Sequence, residues 1–155
     1  MNPESDRFVA AVRRHFRPLF TPYGFTEVQA QSYAYTDAVY VARSATQYFR
    51  IVADFRDDVV DAKLGHIVEG GVPPYPTAPA RDWRHVREIS QAFVVWVACG
   101  DKARAFALGQ MDGGVEAAVK RVADAWQTYG GPLLAGDDSE WERAARLMIT
   151  RELPE

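Results

Sequence analysis

Between Phe25 and Val68 the chain is built of short runs in which apolar and polar residues alternate, joined by very short connections. A two-residue period is typical of β-strands, because successive side chains of a strand point to opposite faces of the sheet. Strands joined so closely must pair mainly antiparallel, since a parallel crossover needs about a dozen residues or more. The pattern therefore predicts four strands, over residues 26–36, 39–43, 48–56 and 59–68.

The run over residues 48–56, YFRIVADFR, alternates most clearly. Its apolar residues are expected to share one face of the sheet and its tyrosine and charged residues the other, with Val52 as the exception. The two sets are Phe49, Ile51, Ala53 and Phe55 on the first face, and Tyr48, Arg50, Asp54 and Arg56 on the second.

The turn before this run leaves two registers open. A two-residue turn at Ala45 and Thr46 would place Val41 opposite Arg50, whereas one more loop residue would place it opposite Ile51.

Helical periodicity flanks the predicted sheet on both sides. Residues 6–20 have an amphipathic pattern behind Ser5 as the predicted N-cap. Later helices are predicted from Trp83 to a stop at Gly100, over 101–108, over 115–126, and from the capping-box pattern that begins at Ser139. With 155 residues, the chain is expected to form one α+β domain with three or four C-terminal helices packed chiefly on one sheet face.

Residues 69–82 connect the predicted sheet to these helices and contain the sequence EGGVPPYPTAP. Each proline fixes its own φ, so the segment is expected to be stiff and extended. Two interpretations stay open: a lip over a binding site, or a plain surface connection.

Composition argues against several functions. The chain is 48% hydrophobic, 25% charged and has a formal net charge of −3, which disfavours a nucleic-acid partner. No apolar run approaches the roughly 18 residues of a membrane span, so no membrane partner is expected. A single cysteine, Cys99, cannot form an internal disulfide, which favours the cytoplasm.

Motifs for catalysis or metal binding are not found in the sequence. The histidines His15, His66 and His85 lack metal-site spacing, and no serine-nucleophile elbow or phosphate-binding loop occurs. We therefore expect no metal and no cofactor and assign no catalytic residue; a non-enzymatic protein is favoured, with an enzyme as the open alternative.

The residues that remain suggest binding. Tyrosine and arginine are enriched where proteins contact each other, and several lie on the predicted strands or in the proline-rich segment. The candidate contact residues are Tyr33, Tyr35, Tyr40, Tyr48, Arg50, Asp54, Arg56 and Tyr75. If the helices cover one face only, the other face is free to bind a protein partner or a second copy, or simply to carry cross-strand pairs in solvent. Alanine at Tyr48 and Arg50 should then weaken association without unfolding the chain.

A cleft between residues 69–82 and the sheet is the alternative site. His66, Trp83 and His85 flank the segment and would converge there to bind a small molecule or to form an active site.

The helix-to-strand junction Pro18-Leu-Phe-Thr-Pro-Tyr-Gly-Phe25 resembles that of several uncharacterised bacterial α+β families, some associated with immunity proteins of toxin systems. The resemblance covers about the first 68 residues. It implies a cytoplasmic binding protein without a cofactor and assigns no catalytic residue.

Overall fold

A computed structural model describes residues 2–33, 36–69 and 71–153. The chain has an α+β fold around a five-stranded antiparallel sheet in which the strands follow their sequence order. The strands are β1 (Thr26–Tyr33), β2 (Asp37–Arg43), β3 (Gln47–Asp54), β4 (Val59–His66) and β5 (Glu88–Ser90).

The turn between β2 and β3 has two residues, and Val41 lies opposite Arg50. Ser44 closes this turn, since its amide donates to the Gln47 carbonyl at 2.8 Å and its hydroxyl accepts from the Gln47 amide at 3.1 Å. The first of the two predicted registers is confirmed.

The fifth strand corrects the prediction of four strands and of a continuous helix from Trp83. Trp83–His85 form a single 3-10 turn, and β5 then pairs with β4. Ile89 has the helical spacing that led to the prediction, but it lies opposite Leu64 in the sheet. Pairing with a neighbouring strand outweighs local periodicity in so short a segment.

Two helices, rather than one, precede the sheet: α1 (Pro3–His15) and α2 (Arg17–Tyr23). Asn2, not Ser5, caps α1 by accepting a hydrogen bond from the Ser5 amide at 2.8 Å. The break falls at Phe16, just before Pro18, where proline is tolerated because the first turn of a helix has no intrahelical partner for its amides.

Five helices follow β5. Ser90, Asp101 and Asp137 cap three of them through side-chain oxygens; Ser139, the predicted cap, lies inside the last helix instead. Their bounds are α3 (Gln91–Cys99), α4 (Lys102–Ala107), α5 (Val115–Tyr129), α6 (Gly131–Leu134) and α7 (Asp138–Thr150).

The main core lies between the helices and one face of the sheet. Phe49 on β3 meets Trp126 on α5 edge to face, with ring centroids 5.0 Å apart. The Trp126 indole N–H donates to the carbonyl of Ala62 at 3.1 Å, so the buried ring has a partner for its one polar atom.

The other sheet face is also covered, by residues of the proline-rich segment. Tyr48 and Arg50 are 0% and 3% exposed. The prediction that this face is free is therefore wrong at its two central residues. Alanine at either position would open a buried site, so those substitutions cannot probe a surface.

Candidate functional site

Residues 71–80, here called the proline segment, cross the sheet face opposite the helices. Its side chains alternate: Val72, Tyr75 and Thr77 are half-buried against the sheet, whereas Pro74 and Pro76 are exposed. The segment therefore has one anchored side and one side open to solvent.

Arg50 of β3 provides the main anchor. Its Nη1 donates to Thr77 Oγ1 at 2.9 Å and also contacts the Glu88 carboxylate, while its Nη2 donates to the carbonyl of Pro73. Among the described residues, its Nε has no hydrogen-bond partner. One buried guanidinium thus joins strand β3, strand β5 and the proline segment.

Glu88 is shared with a second buried side chain. The Tyr48 hydroxyl donates to Glu88 Oε2 at 2.7 Å. Burial, and then the bond to Glu88, raises the pKa of Tyr48 well above its ordinary value. The Arg50 guanidinium lies 5.4 Å from the centroid of the Tyr48 ring and 5.9 Å from that of Tyr75, so it has an aromatic ring on each of two sides.

Tyr75 is the second anchor of the proline segment. Its hydroxyl donates to Asp37 Oδ2 at 2.9 Å, and burial followed by this bond raises the pKa of Tyr75 to about 12. Its ring packs with Val72 against a small apolar cluster formed by Val39, Val41 and Val52.

A groove of about 320 Å³ lies between the proline segment and strand β1. Val28 of β1 lies on one side and Pro73 and Pro74 on the other, while Gln29 and Arg50 add polar atoms to the lining. Val28 is 53% exposed and sits at a bulge in the pairing of β1 with β2. No other described strand pairs with the outer side of β1. The groove therefore opens beside a sheet edge.

A second cleft, of about 240 Å³, lies on the opposite side of Pro73. Its lining includes four basic side chains, which come from the end of β4 and from the stretch before β5: His66, Arg84, His85 and Arg87. We call it the basic cleft.

The sequence-predicted alternative site is partly assembled here. His66 and His85 both line the basic cleft. Trp83 is not among its lining residues, because its ring lies against the guanidinium groups of Arg84 and Arg146, 4.9 and 4.6 Å from the ring centroid. The His66 ring packs against Trp141 at a tilt of 48°, with centroids 4.2 Å apart, and this burial lowers the pKa of His66 while Asp138 opposes the shift.

Three other predicted contact residues do not anchor the proline segment, although the charge of Asp54 helps to raise the pKa of Tyr75. Tyr40 points to the helix side, where its ring stacks on Phe20 at 6.3 Å. Asp54 accepts from the amide of Arg56 at 3.0 Å at the turn after β3, and the Arg56 side chain is 75% exposed. Tyr35 and the side chain of Tyr33 lie outside the described residues.

Sequence reasoning missed Glu88, Thr77 and the two arginines of the basic cleft. A signal for Glu88 was present in Glu88-Ile89-Ser90, whose polar-apolar alternation suits a short strand. The signal for the arginines was the stretch RDWRHVR at 81–87, which contains three arginines and one aspartate in a chain of net charge −3.

Within residues 2–33, 36–69 and 71–153, no three His, Cys, Asp or Glu side chains are close enough together to share a metal ion. No helix of this part of the chain combines the length and the apolar character that a membrane crossing requires.

Comparison with protein-family models, curated proteins and solved structures gave no significant match. The fold and the site therefore define the chain only as an α+β protein with an anchored proline segment, and the resemblance to immunity-like proteins stays a prediction.

Proposed function

We propose that this chain is a non-enzymatic binding protein, and that the exposed side of its proline segment and the groove beside β1 bind an extended segment of a protein partner. The observation that carries the proposal is the anchoring of the proline segment by Arg50.

Anchoring makes the surface ready to bind. Association costs free energy when a loop must be ordered, about 0.5–1.5 kcal/mol for each side chain that is immobilised. Here the proline segment already has its contacts to Arg50 and Asp37 in the free chain. Because folding has already ordered the segment, a partner that binds it does not have to supply the free energy of ordering.

The buried ion pair supports the same conclusion. Burying Arg50 and Glu88 removes both charges from water, and apolar residues of similar size often stabilise a fold as well or better. Such a pair is useful where it fixes one conformation, and here the conformation it fixes is that of the proline segment.

The chemistry of the groove favours an extended partner segment that combines apolar side chains with polar groups. Pro73, Pro74 and the half-exposed Val28 offer apolar contact, and Gln29 and Arg50 line the same groove with polar atoms. An extended segment can place alternate side chains into a groove of this kind while its backbone follows a sheet edge. The groove is also just inside the range of about 300–1,000 Å³ typical of small-molecule sites, so a small-molecule ligand is the second candidate.

Site-specific photo-crosslinking tests the proposal. A photoreactive amino acid is placed at Val28 or Pro74 in the full chain, which is then exposed to an extract of its source cells; Ala10, exposed on α1, is the control position. A protein that crosslinks at Val28 and Pro74 but not at Ala10 is purified, and its affinity is measured by calorimetry.

Charged variants then decide whether the groove is the site. Val28→Lys and Pro74→Asp should each weaken binding by about tenfold or more, since each places a charge in an apolar contact. Ala10→Lys should not change the affinity. Unchanged binding by both groove variants, with folding intact by circular dichroism, would show that the partner uses another surface.

A purified chain that retains a small molecule, released on denaturation and identified by mass spectrometry, would instead support the second candidate. A solution mass of two chains, abolished by Val28→Lys, would identify a second copy as the partner.

A further inference from the structure

We propose that the basic cleft is a binding site for an anionic oxygen group, such as a phosphate ester or a carboxylate, carried by a larger ligand. Its lining shares only Pro73 with that of the groove, so an anion bound there would not occupy the proposed partner site.

The first support is the origin of the basic side chains. His66 ends strand β4, Arg84 and His85 belong to the 3-10 turn, and Arg87 precedes β5. Antiparallel pairing of β4 with β5, including Gly65 opposite Glu88, brings these separate stretches together. The cleft is thus a product of the tertiary fold rather than of a single run of charge.

The second support is the electrostatic balance of the cleft. No acidic residue is among the described residues that line it. Asp82 lies near Arg84 and His85, at 3.7 and 3.6 Å, and both contacts are solvent-exposed and therefore weak.

Within the described part of the chain, Arg87 has no acidic partner. Its sequence neighbour Glu88 is bonded to Arg50 and Tyr48 instead, and no described carboxylate lies within 4.0 Å of the Arg87 guanidinium. At least one cationic group in the basic cleft is therefore available to a ligand.

The third support is that two of these groups are held in orientation. The Arg84 guanidinium lies 4.9 Å from the centroid of Trp83, and the His66 ring lies 4.2 Å from that of Trp141. Aromatic contacts of this kind limit the rotamers of the basic groups, which lowers the entropy lost when they bind an anion.

Size limits the class of ligand. A volume of about 240 Å³ is below the usual range for a whole small-molecule ligand and suits one charged group with its hydrogen bonds. Arginine favours planar or tetrahedral oxyanions, because its parallel N–H groups pair with two oxygens at once.

Titration followed by NMR tests the site. The ¹⁵N-labelled full chain is titrated with sodium phosphate and, separately, with sodium acetate, against sodium chloride at the same ionic strength. We expect saturable shifts of the Arg87 amide and of the Arg84 and Arg87 Nε–H groups, with a dissociation constant of about 1 mM, as for a single charged group. The ring protons of His66 should titrate at higher pH when the anion is bound, because a bound anion adds to the favourable charge of Asp138.

Each outcome bears on the inference. Saturation by phosphate alone supports the site and assigns it to phosphate esters, whereas saturation by both anions supports it and extends it to carboxylates. Arg87→Gln should weaken phosphate binding about tenfold, and the exposed control Arg56→Gln should leave it unchanged. An absence of saturation, or equal loss in both variants, would overturn the inference. Val28 and Pro74 do not line the basic cleft. The phosphate titration and the partner-binding measurements can therefore succeed or fail independently of each other.

Discussion

The ring of Tyr48 lies directly over the backbone of Gly65 on the neighbouring strand, where a methyl group on the glycine would overlap the ring. The space left by the missing side chain lets Tyr48 reach across β4 to Glu88 on β5. A residue with no side chain is therefore a condition for the hydrogen-bonded group beneath the proline segment.

Gly65→Ala should destabilise the chain through this overlap. The added methyl must displace the Tyr48 ring, and overpacking of this kind costs roughly 1–3 kcal/mol in the free energy of unfolding. Gly65 does not have a positive φ, so the loss would be steric rather than a backbone effect. Urea unfolding followed by tryptophan fluorescence measures the change.

Gly131→Ala is the matched control. Nothing lies within 4 Å of a methyl group at that position, which is in the first turn of α6. Because Pro132 follows, alanine there is somewhat disfavoured in helical backbone, but it meets no atom of another element, so Gly131→Ala should cost less stability than Gly65→Ala. Equal stability of the two variants would show that Tyr48 does not occupy the space above Gly65.

Glu88→Gln should cost far more stability than removing a surface charge. It leaves the 3% exposed side chain of Arg50 with an uncompensated charge, a change that costs about 3–5 kcal/mol in the free energy of unfolding. The control is Asp124→Asn, which breaks the exposed pair with Lys120 at 3.2 Å and should change stability by less than about 1 kcal/mol.

A double variant measures how far the contributions of Arg50 and Glu88 to stability depend on each other. Arg50→Met combined with Glu88→Gln should cost less than the sum of the single losses, because the second substitution removes a charge that the first has left unpaired. Strict additivity would mean that the two side chains do not depend on each other.

Arg50→Met should also free the proline segment. Its bonds to the Pro73 carbonyl and to Thr77 would be lost, so the backbone order parameters of Val72 and Thr77 should fall below about 0.6 while those of β2 stay near 0.85. If Arg50→Met does not fold, Thr77→Val removes one of these bonds without burying a charge and should mobilise Thr77 alone. An unchanged order parameter in the variant that folds would show that Arg50 does not anchor the segment.

The positions of β2 to β4 were predictable from sequence because successive side chains of a strand point to opposite faces of the sheet, which gives a two-residue period. Alternation located the strands, and the two-residue turn at Ala45 and Thr46 set Val41 opposite Arg50. Strand β5 was not predictable in the same way. Its three residues are too few to express a period, and its pairing with β4 depends on contacts far apart in the chain.

The position of the proline segment was also beyond the sequence. Proline has no backbone donor, so a proline-rich stretch cannot join a sheet by a regular ladder and shows no pairing pattern. What holds it is a set of side-chain bonds from Arg50 and Tyr75, whose partners lie 23 to 38 residues away. Tyr48 and Arg50 were correctly placed together on one face, but polar residues in a strand do not indicate whether that face is covered.

High pH should destabilise the chain through its buried tyrosines. The pKa of Tyr75 is raised from 10.0 to about 12, and those of Tyr48 and Tyr40 are raised as well. The folded state holds these protons more tightly than the unfolded state, so the stabilisation is complete below about pH 10 and is lost as the pH rises towards 12. Urea midpoints at pH 9, 10 and 11 should fall steadily, and Tyr75→Phe, which keeps the ring without the ionisable hydroxyl, should reduce the slope. An identical slope in Tyr75→Phe would mean that Tyr75 is not protected by burial and by Asp37.

His66 should titrate below its ordinary pKa of 6.5, because packing against Trp141 disfavours the charged ring more than Asp138 favours it. Asp138→Asn removes the favourable charge and should lower the pKa further; Trp141→Ala exposes the ring and should raise it. Because the pKa of His66 is lower in the folded chain than in the unfolded chain, the unfolded chain is protonated first as the pH falls. The folded state therefore loses stability as the pH falls through 6.5 towards the lower pKa. Proton NMR of the imidazole ring across pH 4.5 to 8, without added anion, measures all three values. A pKa in Asp138→Asn equal to that of the unchanged chain would show that the carboxylate does not act on His66, and that packing against Trp141 alone sets its protonation.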